Sequence, residues 1–417
     1  MSRNFTEILP NVVADPRAGD WFLGFLLAGV LVGLPGSLLV AWRYYIETAP
    51  DLIGLHFLAL AAGYVIAAAT AQKLLARLSI RSVALFACGI ALISLAALSF
   101  LAPPLLPLWR IIGLAFVGVS GGALVTALLY VLEPSYEKAP TAAATLCGVL
   151  FGCGCFLATL VVGAIYFTGS VQIETGLLAL VPLIFFLIYA TNRYPPALLS
   201  ARPHRDIAAR EGLEDLRSIA MVLFSLLVFF QFGNEWALAG WLPLFLIHRL
   251  GSNPEWAIFA LAVYFLSLLL GRLAGRALLP LVNHRRLLLL SIVSAMLGYL
   301  LLSLTGSLLG AFLAVLIIGI GFGPVYPLIA ENLASRFSYH PGLYNGILSV
   351  AITGAMSAPW LLAYVDSYFG IRYVMLIPAL GSAAVFIVTL LIMLEARLMG
   401  GAGTSRDSQS PLLAGKE

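Results

Sequence analysis

Charge is what this chain has least of. Of 417 residues, 23 are Lys or Arg and 19 are Asp or Glu, 10% in all, where a soluble domain carries roughly 25%. Histidine is scarce too. His56, His204, His248, His284 and His340 are scattered, with no metal-ligand spacing, so no metal and no cofactor is expected. The four cysteines, Cys88, Cys147, Cys153 and Cys155, all fall in apolar runs and read as small packing residues. No G-x-x-x-x-G-K-[ST] loop occurs, which argues against transport driven by nucleotide hydrolysis. No nucleophile–base pair stands out, so an enzyme is not expected. The net charge of +4 lies in loops and implies no nucleic-acid partner. Short alternating strands are missing, which argues against a membrane β-barrel.

What the chain has is apolar length. Hydrophobic residues make up 61% and the mean hydropathy is +1.02. Twelve apolar spans are long enough to cross a bilayer. They lie at about 21–41, 52–71, 82–102, 107–130, 142–168, 175–193, 219–247, 256–277, 287–304, 308–332, 342–367 and 373–395. The predicted fold is an all-α membrane protein with twelve transmembrane helices in two pseudo-symmetric six-helix halves. Residues 1–20 form a polar N-terminal segment without a cleavable signal. The first half is 21–193. A charged central loop, 194–218, carries a predicted amphipathic helix at 205–217. The second half is 219–398, and 399–417 reads as a disordered tail.

Lys and Arg set the orientation. With the N-terminus inside, only Arg43, Arg110, Arg249 and Arg372 of the 23 fall outside. That bias puts both termini in the cytoplasm of a plasma (bacterial inner) membrane. An internal repeat at an offset of 198 residues carries span starts 21, 82, 142 and 175 to within a few residues of later ones. It carries Gly121 onto Gly319, Glu133 onto Glu331 and Gly148 onto Gly346. An even number of spans per copy leaves the halves parallel, with a binding site expected between them.

The seventh span holds the candidate site. Gln231, Asn234 and Glu235 stand near its middle, where a carboxylate costs about 2.5–3.5 kcal/mol on insertion scales. With Leu238 and Leu242 they follow i, i+3, i+4 spacing and share a predicted face. Gly233, Gly240 and Pro243 are expected to break the helix there. Glu235 is the candidate for proton coupling as well as binding. Gln231 and Asn234 suit hydroxyl groups of a substrate. Trp241, Tyr264, Tyr326 and Trp360 are candidates to stack on a ring, against the plainer reading of core packing or an interfacial belt.

Two charge clusters are expected to latch the cytoplasmic side: Lys73, Arg77 and Glu133, and their repeat Arg272, Arg276 and Glu331. The plainer reading of these charges is membrane topology. Gly29-x-x-x-Gly33, Gly148-x-x-x-Gly152 and Gly271-x-x-x-Gly275 are expected to pack helices closely.

Several stretches resemble a known family. Gly63-Tyr64, with Gln72-Lys73, Arg77 and Arg81, is similar to the loop between helices 2 and 3 of major facilitator superfamily transporters. Gly271-Arg272-Leu-Ala-Gly275-Arg276, with Arg285-Arg286, is similar to its second copy. Gly233-Asn-Glu235, Trp241-Leu-Pro243, Gly321-Phe-Gly323-Pro324-Val-Tyr-Pro327, Gly354 and Pro359 resemble the fucose–galactose–glucose proton symporter branch. The resemblance implies a secondary transporter that moves a sugar or similar small polar solute with protons, as a monomer in the lipid bilayer. That branch is expected to place proton-carrying carboxylates in helices 1 and 4. Here helix 1 is apolar around Gly33-Leu-Pro35-Gly36, and helix 4 offers only Glu133 at its edge. Glu235 is left as the coupling candidate. The alternatives are proton-antiport efflux of amphipathic compounds, and a transporter-like solute receptor.

Overall fold

A computed structural model describes residues 16–46, 48–101, 103, 105–166, 171–192, 219–337 and 339–407. The predicted amphipathic helix at 205–217 lies outside them. So do most of the N-terminal segment and residues 408–417. Fifteen α-helices follow in order among the described residues: α1 Pro16–Ala41, α2 Pro50–Leu74, α3 Ile80–Phe100, α4 Pro107–Val131, α5 Glu133–Lys138, α6 Pro140–Tyr166, α7 Val171–Leu178, α8 Leu180–Thr191, α9 Ile219–Leu250, α10 Pro254–Leu278, α11 His284–Leu304, α12 Leu308–Phe322, α13 Val325–Ala334, α14 Pro341–Phe369 and α15 Leu376–Asp407. They supply twelve helical stretches long and apolar enough to cross a membrane. The all-α, twelve-span expectation holds.

Local chemistry sets the helix starts. Pro50, Pro107, Pro254 and Pro341 open α2, α4, α10 and α14, where a missing N–H costs nothing. Ser79, Asn283 and Ser307 accept backbone N–H groups at 3.1 Å and cap α3, α11 and α12.

The breaks fall elsewhere than expected. The seventh span is one unbroken helix, α9, with Pro243 inside it. Pro243 cannot donate to the Ala239 carbonyl four residues back. Gly36 of α1 lies against that carbonyl so closely that a Cβ there would stand 2.0 Å from it. The tenth span is the divided one, between α12 and α13 at Gly323–Pro324. Pro324 and Pro327 remove the bonds to Ile320 and Gly323. Pro182 likewise separates α7 from α8 by freeing the Leu178 carbonyl. The last helix continues to Asp407, through residues 399–407 that read as disordered. Elongating an existing helix needs no new nucleus.

Each half repeats the same packing. α1 lies on α6 and α2 on α4; in the second half α9 lies on α14 and α10 on α12. The sequence repeat is thus a repeat of helix pairs. The α1–α6 pair depends on missing side chains. A Cβ on Gly29 would stand 1.9 Å from the Phe151 carbonyl oxygen, and one on Gly154 2.0 Å from that of Leu26. The halves meet along α2–α14, α6–α10 and α1–α9.

Candidate functional site

A cavity of about 80 Å³ lies between the halves, well below the roughly 300–1,000 Å³ of an open small-molecule site, as a closed form requires. α1, α2, α4, α5 and α6 wall it from one side; α9, α10, α13 and α14 wall it from the other. Nearly half of the lining residues are aromatic, Phe151, Phe232, Trp236, Tyr264, Phe265 and Tyr326 among them. Among the described residues only two lining side chains are charged, Glu235 and Arg272.

Glu235 is buried at the middle of α9. Its Oε1 accepts a hydrogen bond from Gln231 Nε2 at 2.8 Å. Its Oε2 lies 3.9 Å from Arg272 Nη2. That spacing makes an ion pair but not a close hydrogen bond. Arg272 is buried, and its Nη1 donates to the Gly148 carbonyl of α6, in the other half. Its Nε has no hydrogen-bond partner among the described residues. The Tyr264 hydroxyl donates to the Glu235 carbonyl at 2.9 Å, and the Tyr299 hydroxyl donates to the Asn234 carbonyl at 2.6 Å. Those two bonds tie the middle of α9 to α10 and α11.

The expected stripe on α9 divides. Glu235 lines the cavity; Gln231 is fully buried outside the lining and reaches the site through its bond to Glu235. Asn234 packs instead against Gly381 of α15, where an added Cβ would stand 2.1 Å from its Oδ1. Adjacent residues on a helix point about 100° apart; Glu235 and Trp236 turn to the cavity, and Asn234 falls on the side turned to α15. Asn234 is therefore not a lining residue. Of the four expected ring-stacking residues, Tyr264 and Tyr326 line the cavity. Trp241 is fully buried away from it, donating Nε1 to the Pro359 carbonyl at 2.7 Å. Trp360 is 40% exposed and packs beside Gly54. Both tryptophans hold helices together outside the cavity.

The expected charge latches are also rearranged. Arg272 sits six residues before the end of α10, about 9 Å inward at 1.5 Å per residue. It belongs to the cavity. Lys73 and Arg77 are exposed. Glu331 pairs with His284 at 3.5 Å, not with Arg272 or Arg276. The Gly148-x-x-x-Gly152 motif differs from the other two. Gly33 meets Cys155 of α6 and Gly271 meets Ile320 of α12, as packing requires. Gly148 and Gly152 instead face Arg272, whose Nη1 would lie 2.9 Å from a Cβ on Gly152. They form a notch for the guanidinium.

At the end of the bundle that holds the described chain ends, neutral groups close the cavity. Tyr136 stacks on Tyr339, ring centroids 4.9 Å apart, and Tyr339 packs on Tyr344 at 4.4 Å. Burial holds the Tyr136 and Tyr339 hydroxyls well above the usual tyrosine range. Asn345 accepts from Thr126 Oγ1 at 2.9 Å and donates to the Ala68 carbonyl at 3.2 Å, joining α14 to α4 and α2. Sequence reasoning missed this seal. Its only signal was an amide, Asn345, inside an apolar span. At the far end Gly36 meets Ala239, Gly240 meets Phe57, and Ser367 donates to Asp51 at 2.9 Å. The halves touch at both ends of the cavity, so this is a closed form.

The family model described as Major Facilitator Superfamily matches residues 21–358. No curated protein matches the chain in sequence. Among solved structures, the nucleoside transporter NupG is 15% identical with a TM-score of 0.68, covering 90% of this chain and 98% of its own. A variant of the E. coli fucose:proton symporter FucP is 18% identical with a TM-score of 0.65, over 90% and 98%. A D-xylose-proton symporter is 14% identical with a TM-score of 0.69, over 90% and 96%. Likeness at these identities is a likeness of fold.

Proposed function

The chain belongs to the Major Facilitator Superfamily, as a secondary transporter and not an enzyme, and from that premise we propose that it carries a small ring-bearing polar solute together with a proton. The observation that supports this is the position of Glu235. It lies in a cavity walled by both halves, beside a cation that also holds the opposite half.

The mechanism follows from that placement. Protonating Glu235 removes the counter-charge of Arg272. Arg272 then takes a new partner, and its bond to Gly148 is one of the contacts between the halves. A proton at Glu235 is therefore felt at the interface that must open. Rocking of the halves about the cavity exposes it to each side in turn, a two-state equilibrium biased by whatever binds there. The Tyr136–Tyr339–Tyr344 and Asn345 contacts close one side. The α1–α9 and α2–α14 contacts close the other. The excess of Lys and Arg supports a cytoplasmic orientation for the side with the described chain ends, in a plasma membrane.

Ring-sized aromatic walls support a ring-bearing solute. So do the names of the fold neighbours, which speak of fucose, xylose and nucleosides. One observation favours the efflux reading: among the described residues no Asn, Gln, Ser or Thr side chain lines the cavity, which suits an amphipathic compound better than a polyol.

The test is uptake into proteoliposomes of labelled ring solutes, namely hexoses, a nucleoside and ring carboxylates, with an inward proton gradient. The wild-type protein accumulates at least one. Glu235→Gln exchanges that solute without accumulating it. Equal accumulation by the variant removes Glu235 from the coupling step.

A further inference from the structure

The substrate class follows from the charges in the cavity, given the proton-coupled reading above, on which this inference rests. Among the described residues, Glu235 and Arg272 are the only charged side chains that line it. The other ionisable lining groups are Tyr64, Tyr136, Tyr264, Tyr326, Cys147 and Cys155, all neutral in their ordinary forms at pH 7. The cavity holds one negative and one positive charge, and is neutral when closed. A single uncompensated charge between apolar walls is strongly disfavoured.

Each kind of cargo leaves a different sum when a proton sits on Glu235. A neutral solute leaves Arg272 without a counter-charge. A cation adds a second positive charge. A monoanion restores neutrality. We propose that the transported solute is a ring-bearing monocarboxylate, held by Arg272 and moved with one proton, with no net charge crossing the membrane.

The geometry of Arg272 fits this cargo. Nη1 is engaged with Gly148, in the notch left by Gly148 and Gly152. Nη2 is only loosely paired, at 3.9 Å, and Nε is buried without a partner among the described residues. Nε and Nη2 form one edge of the planar guanidinium, and that edge matches the two oxygens of a carboxylate. The exchange balances. The proton bonds to Glu235 Oε2 while Gln231 keeps its bond to Oε1. The neutral carboxyl releases Arg272, and the incoming carboxylate takes its place. Reversing these steps on the other side returns both acid and proton. Phe151, Trp236, Phe265 and Tyr326 supply flat faces for the ring.

The test uses the full chain in proteoliposomes and three labelled probes: D-glucuronate, a sugar acid; quinate, a ring acid without a ring oxygen; and D-glucose. An inward proton gradient is imposed with the membrane potential clamped by potassium and valinomycin at several values, and protein-free vesicles are subtracted. At least one acid accumulates, its accumulation does not change with the potential, and D-glucose is not driven. Arg272→Lys keeps the charge but loses the planar edge, and raises the KM for the acid while gradient-driven uptake remains. Arg272→Gln abolishes acid uptake. Gradient-driven glucose uptake without acid uptake overturns the inference and leaves the proton-coupled reading standing. Acid uptake that follows the potential overturns the electroneutral exchange. If no probe responds to protons, the proton-coupled reading falls with it.

Discussion

The guanidinium of Arg272, on α10, donates to the carbonyl of Gly148, on α6 in the opposite half of the molecule. The same side chain is the counter-ion of Glu235. One residue therefore joins the ionisable site to the interface that must part. Gly152 tests the joint from the other side. A Cβ there would stand 2.9 Å from Arg272 Nη1. Gly152→Val prevents the guanidinium from docking, so transport falls several-fold while the protein elutes and melts as the wild type does. Gly148→Ala meets Arg272 no closer than 3.6 Å and transports normally. Loss of folding in Gly152→Val would show that the notch is only packing.

The α1–α6 pair behaves differently. A Cβ on Gly29 meets the backbone carbonyl of Phe151 at 1.9 Å, and backbone cannot step aside. Gly29→Val destabilises the first half by about 1–3 kcal/mol, the usual cost of overpacking. A lower melting temperature in detergent checks this, together with reduced yield of membrane-inserted protein.

Asn345 holds the seal at the end where the chain's described ends lie. Its side chain makes two bonds across the halves, to Thr126 and to Ala68. At about 0.6 kcal/mol for each such bond in a membrane, Asn345→Ala shifts the closed–open balance by somewhat under tenfold. Cys147 lines the cavity and is buried in the closed form. Its alkylation by N-ethylmaleimide accelerates by that factor in the variant. An unchanged rate assigns the seal to the tyrosines alone.

Aromatic residues inside and outside the cavity should separate cleanly. Tyr326→Ala removes a wall and weakens substrate affinity at least several-fold. Trp360→Ala removes a half-exposed side chain beside Gly54 and leaves affinity unchanged. Binding isotherms on the two variants, with whichever solute the wild type accumulates, decide the point.

These contrasts mark what was legible in the chain. Twelve spans were, because twenty apolar residues in a row have few other uses. Glu235 was, because a carboxylate at that depth needs a reason. Arg272 was legible as a charge but not as a cavity residue. Two arginines four apart near the end of a span look like a loop motif, and the roughly 9 Å that takes one of them into the cavity is set by where α10 ends. Trp360 and Phe151 show a further limit. An aromatic in an apolar span reads the same whether it faces lipid or a substrate, and only the packing of neighbouring helices separates them. The tyrosine seal was hidden for the same reason. Tyr136, Tyr339 and Tyr344 lie on different elements and meet only in the folded chain. Pro243 stands alone inside a continuous helix, while Pro324 is followed by Pro327, and the two together free the Ile320 and Gly323 carbonyls where the tenth span divides.

The central claim is that the two halves rock about the Glu235–Arg272 cavity. Paired spin labels at Arg77 and Arg286 report one end of the bundle, and labels at Ala49 and Asn253 report the other. Electron–electron distance measurements in lipid nanodiscs, at acid and neutral pH and with a transported solute, follow both pairs. The account predicts reciprocal change, one distance lengthening as the other shortens, and loss of the pH response in Glu235→Gln. Distances that stay fixed under all conditions, or that lengthen together, would contradict it.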